Sequence, residues 1–214
     1  MNVQEMHIGL GIGMDKIASL SHDSLEPQEK DYYLNRAIDE YVKQQYIILR
    51  QEEELEEAKF VLENLRTLIV EGNINLFDPG FFNMTNSKKG TLPSDYSFYV
   101  FSKTIFDSYS RNNTLMTVSS IKQYLDTKSN KPVFRDLPVL IKGNEIGIVY
   151  SRDDQDAQFI NLTYIKSPRY VNIVGTVSTD LPAHTHRDIV NMAVDFVLED
   201  IKVLRPERQP QRQQ

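Results

Sequence analysis

Residues 181–204, LPAHTHRDIVNMAVDFVLEDIKVL, carry the strongest periodic pattern in the chain. Apolar side chains recur there every three or four positions and form one continuous face, which predicts an amphipathic helix. They are Ile189, Val190, Ala193, Phe196, Val197, Ile201 and Leu204. Pro182 fits the beginning of this helix, and Thr185 with Asp188 has the spacing of a capping box. A helix with such a face needs other elements to cover it.

Three further helices are predicted within residues 1–72. The first has apolar residues at helical spacing, at Met6, Leu10, Met14 and Ile17. The second begins at Pro27, and its apolar stripe is Leu34, Ala37, Ile38, Tyr41 and Val42. The third ends before Glu71 and Gly72, and its apolar set is Leu55, Ala58, Val61, Leu62, Leu65, Leu68 and Ile69.

The middle of the chain is predicted to be mainly strands, because β-branched and aromatic runs alternate there with Gly, Pro, Asn and Asp clusters. The clearest runs are Tyr96–Phe106, Leu137–Ile141, Glu145–Tyr150 and Phe159–Ile165. Lys142-Gly143-Asn144 joins the second and third runs as a hairpin turn. Ser119–Leu125 is predicted to form one or two helical turns.

This order predicts an α+β fold with a single domain over residues 1–204. The helical segments 1–72 and 181–204 form a packed helical core, and residues 73–175 form an inserted, mainly antiparallel β subdomain. Residues 205–214 contain no aliphatic or aromatic side chain and are predicted to be a flexible tail.

Composition excludes several classes of protein. The chain has 214 residues, a formal net charge of -6 and no cysteine. The charge argues against a surface built throughout to hold nucleic acid or an anionic membrane. Without cysteine there is no disulfide framework, thiolate catalysis or thiolate metal site. Neither a secretory signal nor a membrane span is expected, so a cytoplasmic site of synthesis is predicted.

Motifs for nucleotide or acyl-transfer chemistry are weak. Gly9, Gly11 and Gly13 lack the spacing of a dinucleotide-binding loop, and they are better interpreted as small residues that let a neighbouring helix approach. The chain has neither a phosphate-binding P-loop motif nor a nucleophile elbow. No catalytic residue and no cofactor are therefore predicted.

Metal binding is also disfavoured. His184 and His186 are two positions apart, and such residues point to different sides of a helix, whereas ligands on one helix prefer a spacing of three or four. We expect both to lie in a capped first helical turn and to pack or bond to a loop. The acidic cluster of Asp153, Asp154 and Asp156 lacks the glycine and glutamate of a calcium loop, so it is interpreted as a solvated turn.

Partner binding has two candidate sources in the sequence. The tyrosines are too many to be buried easily, and several are candidate interface residues: Tyr32, Tyr33, Tyr41, Tyr46, Tyr96, Tyr99 and Tyr109. The tail supplies the second source, with Arg205, Pro206, Arg208 and Arg212 as its predicted partner-binding residues. A solubilising role for the tail is an equal alternative.

Three groups of residues resemble the head-to-tail connector (adaptor or ring) proteins of tailed bacteriophages, especially those of crAss-like and related Bacteroidetes phages. The first comprises Glu5–Ile8, Asp15–Ser19 and Glu29–Ile38. The second is Leu92–Tyr96, just before a predicted strand. The third comprises Tyr164–Pro168 and Leu181–Val190. Together they span nearly the whole chain, and none is a catalytic signature.

The resemblance implies a non-enzymatic virion protein that forms a ring, twelve-fold, below the portal. Such a ring extends the DNA channel, joins capsid to tail and docks the next tail or ring protein, while double-stranded DNA passes without specific binding. Its location is the neck of the virion, after assembly in the host cytoplasm, with no membrane partner. Two alternatives remain: a tail-completion or tube-terminator protein, and a small metal-dependent phage enzyme that uses His184 and His186.

Overall fold

The computed structural model describes residues 1–17, 25–51, 55–77, 87–107, 109–117, 119–120, 136–149 and 157–204. The fold is α+β, as predicted. The chain divides into two compact units. The helical unit contains Met1–Leu68 and the chain from Pro168 onward, and the β unit contains Ile69–Ser167. The insertion therefore runs from residue 69 to residue 167, where the sequence pattern placed it at 73–175.

Among its described residues, the helical unit contains four α-helices. They are α1 (Val3–Ile17), α2 (Pro27–Gln51), α3 (Leu55–Leu65) and α4 (His186–Leu204). All four were predicted, and the predicted apolar stripe of α2 is its buried face: Leu34, Ala37, Ile38, Tyr41 and Val42. Helical periodicity identified this face because one side of each helix is buried in a common core.

The glycines of α1 let α1 and α4 lie close together. A Cβ atom built on Gly13 would lie 2.5 Å from Cγ2 of Val194, and one built on Gly9 would lie 3.3 Å from Cγ1 of Val190. At Gly11 the nearest atom is Nζ of Lys30, at 3.8 Å. The predicted packing role therefore applies to Gly9 and Gly13. All three glycines lie inside α1, so they do not form a phosphate-binding loop.

Two predictions about helix ends are wrong. The third helix ends at Leu65, and Ile69 already begins a strand, because the β-branched Ile69 and Val70 pair with Ile165 and Tyr164. A long-range partner thus overrides the local helical pattern. The capping box at the beginning of α4 is absent, since the Thr185 hydroxyl donates to the carbonyl of Pro182 at 2.9 Å. A 3-10 turn, Ala183–Thr185, precedes α4 instead.

The β unit is a seven-stranded curled sheet with the order β1-β7-β3-β4-β5-β6-β2. Its strands are β1 (Ile69–Asn75), β2 (Ser87–Thr91), β3 (Tyr96–Ile105), β4 (Ser110–Leu115), β5 (Leu137–Lys142), β6 (Glu145–Val149) and β7 (Phe159–Lys166). All neighbours pair antiparallel except β4 and β5, which are parallel. The mainly antiparallel prediction is confirmed.

The two end strands of the sheet meet. Phe77, just after β1, bridges to Lys89 of β2 through two backbone hydrogen bonds, of 2.8 and 3.1 Å. A Cβ atom on Gly90 would overlap Ile74 and lie 2.7 Å from the carbonyl oxygen of Asn75, so only glycine fits this approach. The curled sheet encloses an apolar core that includes Leu137, Ile146, Ile148, Ile160 and Leu162.

Four strands match the predicted runs, and three were missed. The confirmed strands are β3, β5, β6 and β7, and the predicted hairpin joins β5 to β6, with Gly143 at a φ of 59°. Of the predicted turns at Ser119–Leu125, Ser119 and Ser120 are helical, and the others lie outside the described residues. In the part of the chain that the structure describes, no helix is long and apolar enough to cross a membrane.

Candidate functional site

A row of polar side chains on α2 holds the segment that follows the β unit. Asp31, Asn35 and Asp39 are four residues apart, so they lie along one side of the helix. Asp31 accepts the backbone N–H of Ile173 at 3.1 Å. Asn35 accepts the N–H of Val171 at 2.8 Å and donates to its carbonyl at 3.1 Å. We call Asp31, Asn35 and Asp39 the polar row. Its hydrogen bonds hold this segment at Tyr170, Val171 and Ile173.

The polar row also connects to α1. The second carboxylate oxygen of Asp31 lies 2.7 Å from Nε2 of His7, and both side chains are largely buried. Near the beginning of α1, the backbone N–H of Val3 donates to the Ser178 hydroxyl at 3.1 Å. The segment after the β unit is therefore bound to both α1 and α2, and it has little freedom despite its irregular backbone.

This segment projects a tight turn. Asn172 and Val177 exchange two backbone hydrogen bonds, of 3.0 and 2.9 Å, and the Asn172 side chain accepts the N–H of Gly175 at 2.8 Å. Thr176 has a φ of 54°, which is unusual for a β-branched residue and stores backbone strain. At its tip, Val174 is 82% exposed. The turn thus holds an apolar side chain in solvent on a fixed backbone.

An open groove of about 500 Å³ lies beside the polar row, between α2, α4 and Tyr170. Its lining combines aromatic rings with charges of both signs: Tyr32, Asn35, Arg36, Asp39, Glu40, Lys43, Tyr170 and Phe196. We call it the α2–α4 groove. Its volume falls within the range of ligand sites, and its lining carries charged side chains of both signs beside the aromatic rings.

Arg36 joins the two helices at one side of the groove. Its guanidinium carbon lies 4.2 Å from the centre of the Phe196 ring, and Nη1 lies 3.4 Å from a carboxylate oxygen of Asp200. The same oxygen accepts the Tyr33 hydroxyl at 3.1 Å. The stacked cation and the shared carboxylate fix the position of this wall.

The opposite side of the groove is formed by Tyr170 and Asp39. The Tyr170 hydroxyl lies 3.0 and 3.1 Å from the two carboxylate oxygens. Loss of solvent raises the pKa of the Asp39 carboxyl, and the hydrogen bond from Tyr170 lowers it in part. The pKa of Tyr170 is raised by burial and by its bond to Asp39. Asp39 is nevertheless an exposed residue, so its carboxylate is bonded to Tyr170 and also open to solvent.

The structure separates the two histidines proposed as metal ligands. His184 Nε2 lies 2.9 Å from the side-chain oxygen of Asn64 on α3. Both ring nitrogens of buried His186 lie 2.9 Å from backbone carbonyl oxygens, those of Met1 and Leu181. The predicted bonding to irregular backbone is found for His186, whereas His184 bonds to a helix and not to a loop. Within the described ranges, no group of three or more His, Asp or Glu residues could hold a metal ion.

The other predicted site residues have mixed outcomes. Arg205, Pro206, Arg208 and Arg212, like the acidic cluster at 153–156, lie outside the described residues. Of the candidate interface tyrosines, Tyr32 and Tyr109 are exposed at 61% and 42%, whereas Tyr41 and Tyr99 are buried.

Sequence reasoning missed Arg36, Asp39, Tyr170 and Phe196 as lining residues of the groove. One signal was present, since Asp31, Asn35 and Asp39 repeat every four residues beside the apolar stripe of α2. A repeated row of polar side chains next to a buried face indicates that another segment bonds there.

The stretches that carry the sequence resemblance contact one another within each unit. In the helical unit, His7 contacts Asp31. In the β unit, Asp95 accepts the Tyr164 hydroxyl at 3.0 Å, and its carbonyl accepts the N–H of Ser167 at 2.6 Å. These residues therefore hold distant parts of the chain together. No protein-family model matches the chain, and no curated protein matches it.

Proposed function

We propose that this chain is a structural protein of a tailed-phage virion, a head-to-tail connector that forms a ring below the portal. The ring extends the DNA channel, joins capsid to tail and docks the next tail or ring protein. Twelve copies form the ring, DNA passes through it without specific binding, and neither a cofactor nor a membrane takes part. The proposal treats the chain as a non-enzyme that acts through its surfaces.

One observation carries the proposal. The residues that resemble connector proteins bond to one another across long sequence separations: His7 with Asp31, and Asp95 with Tyr164 and Ser167. Residues that serve an architecture are expected to be engaged in this way, whereas catalytic side chains must keep a reactive atom open to substrate. The pattern therefore supports a shared architecture over a shared chemistry.

The exposed surface agrees with assembly into a ring. The α2–α4 groove presents tyrosine and arginine, which are enriched where proteins bind each other. A ring is built from heterologous contacts, in which one surface of each copy meets a different surface of the next and the rotation closes. The proposal therefore needs at least two distinct exposed surfaces, and the groove and the projecting turn at Val174 are two candidates.

The decisive experiment is quantitative mass spectrometry of purified particles of the source phage. The copy number of this chain is compared with that of the portal protein. We expect equal numbers, because connector and portal rings share one axis and one symmetry. Absence of the chain from the particle would reject the connector proposal.

The tail is proposed to contribute to portal attachment. Changing Arg205, Arg208 and Arg212 together to alanine should weaken binding to the purified portal while thermal unfolding of the protein is unchanged. The matched control changes the same three residues to lysine, which keeps the charge. Unchanged attachment of the alanine variant would reject a role for the tail in portal binding and leave the ring proposal in place.

A further inference from the structure

Among the residues that the structure describes, the α2–α4 groove contains a carboxylate without a cationic partner. Within the described residues, Asp39 accepts the Tyr170 hydroxyl and has no Lys or Arg nitrogen within 4.0 Å. The two cations that line the groove are already engaged. Arg36 stacks on Phe196 and pairs with Asp200, and Nζ of Lys43 lies 3.6 Å from Glu40. A carboxylate accepts about four hydrogen bonds, so Asp39 can accept more.

The surroundings of Asp39 favour a planar cation. Tyr170 bonds to Asp39 and Tyr32 lines the same groove; they are 48% and 61% exposed, so aromatic surface is open to a ligand. An arginine side chain can bond to a carboxylate and stack on an aromatic ring at the same time. Arg36 shows this arrangement in the same groove, with Asp200 and Phe196. A cation beside Asp39 would also offset the loss of solvent that raises the pKa of this carboxyl.

We propose that the groove binds the arginine-bearing tail, residues 205–214, of a second copy of the chain, with an arginine side chain held by Asp39 and the exposed tyrosines. The tail has three arginines, a single acidic residue and no aliphatic or aromatic side chain. It cannot fill an apolar pocket, but its charge complements Asp39. This inference rests on the proposed ring and names the contact between its subunits.

The end of α4 points away from the groove, which favours binding of the tail by a neighbouring copy in a ring. Contacts of Tyr33 and Arg36 with Asp200, and of Arg36 with Phe196, place the carboxyl-terminal part of α4 beside the amino-terminal part of α2, as in antiparallel helices. The end of α4 lies about 12 Å along its axis beyond Phe196, so the helix carries the chain away from the middle of the groove. A groove and a tail are different surfaces of one chain, which a heterologous, closing contact requires.

The test is sedimentation velocity of the full chain, without portal, over a wide concentration range. Four variants are compared with the wild type: Asp39→Asn, Tyr32→Ala, the alanine variant of the three tail arginines, and Glu199→Gln. The last is the control, since it also removes one exposed carboxylate but does not line the groove. Thermal unfolding of each variant shows that it is folded, and Tyr32→Ala is a second probe should Asp39→Asn destabilise the chain.

We expect the wild type to self-associate, and the first three variants to associate at least about tenfold more weakly, as for the loss of one charge-assisted bond. The variant that combines Asp39→Asn with the tail change should associate only slightly more weakly than either variant alone, because both changes remove the same contact. The proposal is overturned by a wild type that stays monomeric, by an Asp39→Asn variant that matches Glu199→Gln, or by additive effects. The copy number in particles tests the connector proposal separately from this contact. If the chain is present in the same number as the portal protein but the variants self-associate like the wild type, the connector proposal stands and this contact is rejected.

Discussion

The two sides of α4 are built in opposite ways. Towards α1, Val190 and Val194 lie against glycines, and a single added methyl group at Gly13 would overlap Val194. Towards α2, Phe196 and Asp200 meet the side chain of Arg36, and an open groove of about 500 Å³ remains. One side is closely packed and apolar, whereas the other has charged side chains at its rim and is open to solvent.

The two sides of α4 have different roles: the α1 side fixes the fold, and the α2 side is available for binding. Close packing of apolar groups leaves no freedom in helix position, so the α1 side sets where α4 lies. Partly exposed ion pairs contribute little to stability, so the rim on the α2 side can change with small cost to the fold. The buried layer beneath that rim, with Leu34, Ile38 and Tyr41, still holds α2 in place. The predictions below test this division.

Alkaline pH should cause the largest loss of stability, through the buried layer of α2. Burial, with a smaller contribution from the charge of Asp188, raises the pKa of Tyr41 from 10.0 to about 12. The folded state favours the neutral phenol, so its stabilisation is complete below pH 10 and is lost as the pH rises from 10 towards 12. The shift corresponds to about 3 kcal/mol in the free energy of unfolding.

Urea denaturation from neutral pH to pH 12 measures this loss. Tyr41→Phe, which cannot ionise, is the control and should lose less stability over the same range. An equal loss in both proteins would mean that other groups cause the alkaline transition.

Gly13→Ala should destabilise the protein by about 1–2 kcal/mol. The added methyl group overlaps Val194, and overpacking of this kind costs about 1–3 kcal/mol, partly offset by the better helix propensity of alanine. Gly11→Ala is the matched control on the same helix. Its methyl group meets only Lys30 Nζ at 3.8 Å, so this variant should gain up to about 1 kcal/mol.

A double variant tests whether the cost of Gly13→Ala arises at the contact between α1 and α4. Val194→Ala removes the methyl groups that Gly13→Ala would strike, so the double variant should be more stable than the sum of the two single effects predicts. Additive effects would place the cost of Gly13→Ala elsewhere.

Asn35→Ala should lower the free energy of unfolding by about 1 kcal/mol and loosen the segment around Val171. The side chain bonds to both backbone groups of Val171, and water can replace these bonds only in part because Val171 is 2% exposed. Asn35→Asp keeps the acceptor for the N–H but sets a carboxylate against the Val171 carbonyl and between Asp31 and Asp39, so it should cost at least as much. Hydrogen exchange of the Val171 amide measures the change, and an unchanged rate would show that Asp31 and Asp39 suffice to hold the segment.

Arg36→Ala should have the smallest effect, at most about 1 kcal/mol, because the side chain is partly exposed. Arg36→Lys keeps the charge but loses the planar stack on Phe196, so it should behave more like alanine than like wild type. Thermal unfolding at low and high salt separates the two contributions, since stacking is less sensitive to salt. A large loss in Arg36→Ala would contradict the division between the two sides of α4.

The helices were predictable because their burial repeats with the helical period. The stripe from Leu34 to Val42 was identified residue by residue, and the pattern at Ile189, Val190, Ala193 and Val197 marks the buried face of α4. Helix ends were less predictable, because Ile69 and Val70 continue the apolar pattern of α3 but find strand partners in β7.

Two of the three missed strands, β2 and β4, are polar. β2 is Ser-Lys-Lys-Gly-Thr and β4 is Ser-Arg-Asn-Asn-Thr-Leu, neither of which has a continuous apolar run. Their backbone is held by pairing with β6, β3 and β5, which local pattern does not reveal. Inside β4, the Asn113 side chain bonds to Ser102 and Thr104, a buried polar network that hydrophobicity alone would place in solvent.

The groove could not be predicted from the sequence for a related reason. Its walls come from Arg36, Tyr170 and Phe196, which lie far apart along the chain and meet only after α2, α4 and the intervening segment have packed. The polar row on α2 indicates that another segment of the chain bonds to this helix, but it does not identify that segment. The tail residues lie outside the described residues, so their role stays a prediction.

The helical unit is made of both parts of the chain that flank the β unit, and this sets an order for folding. Ile69–Ser167 is continuous, so the β unit has all its residues before α4 is synthesised. The helical unit must wait, because His186 binds the carbonyl of Met1 across 185 positions and α4 covers α1. Until then α1 packs without α4, and loops of this length close slowly. On the ribosome, the β unit should therefore form first and the helical unit close last.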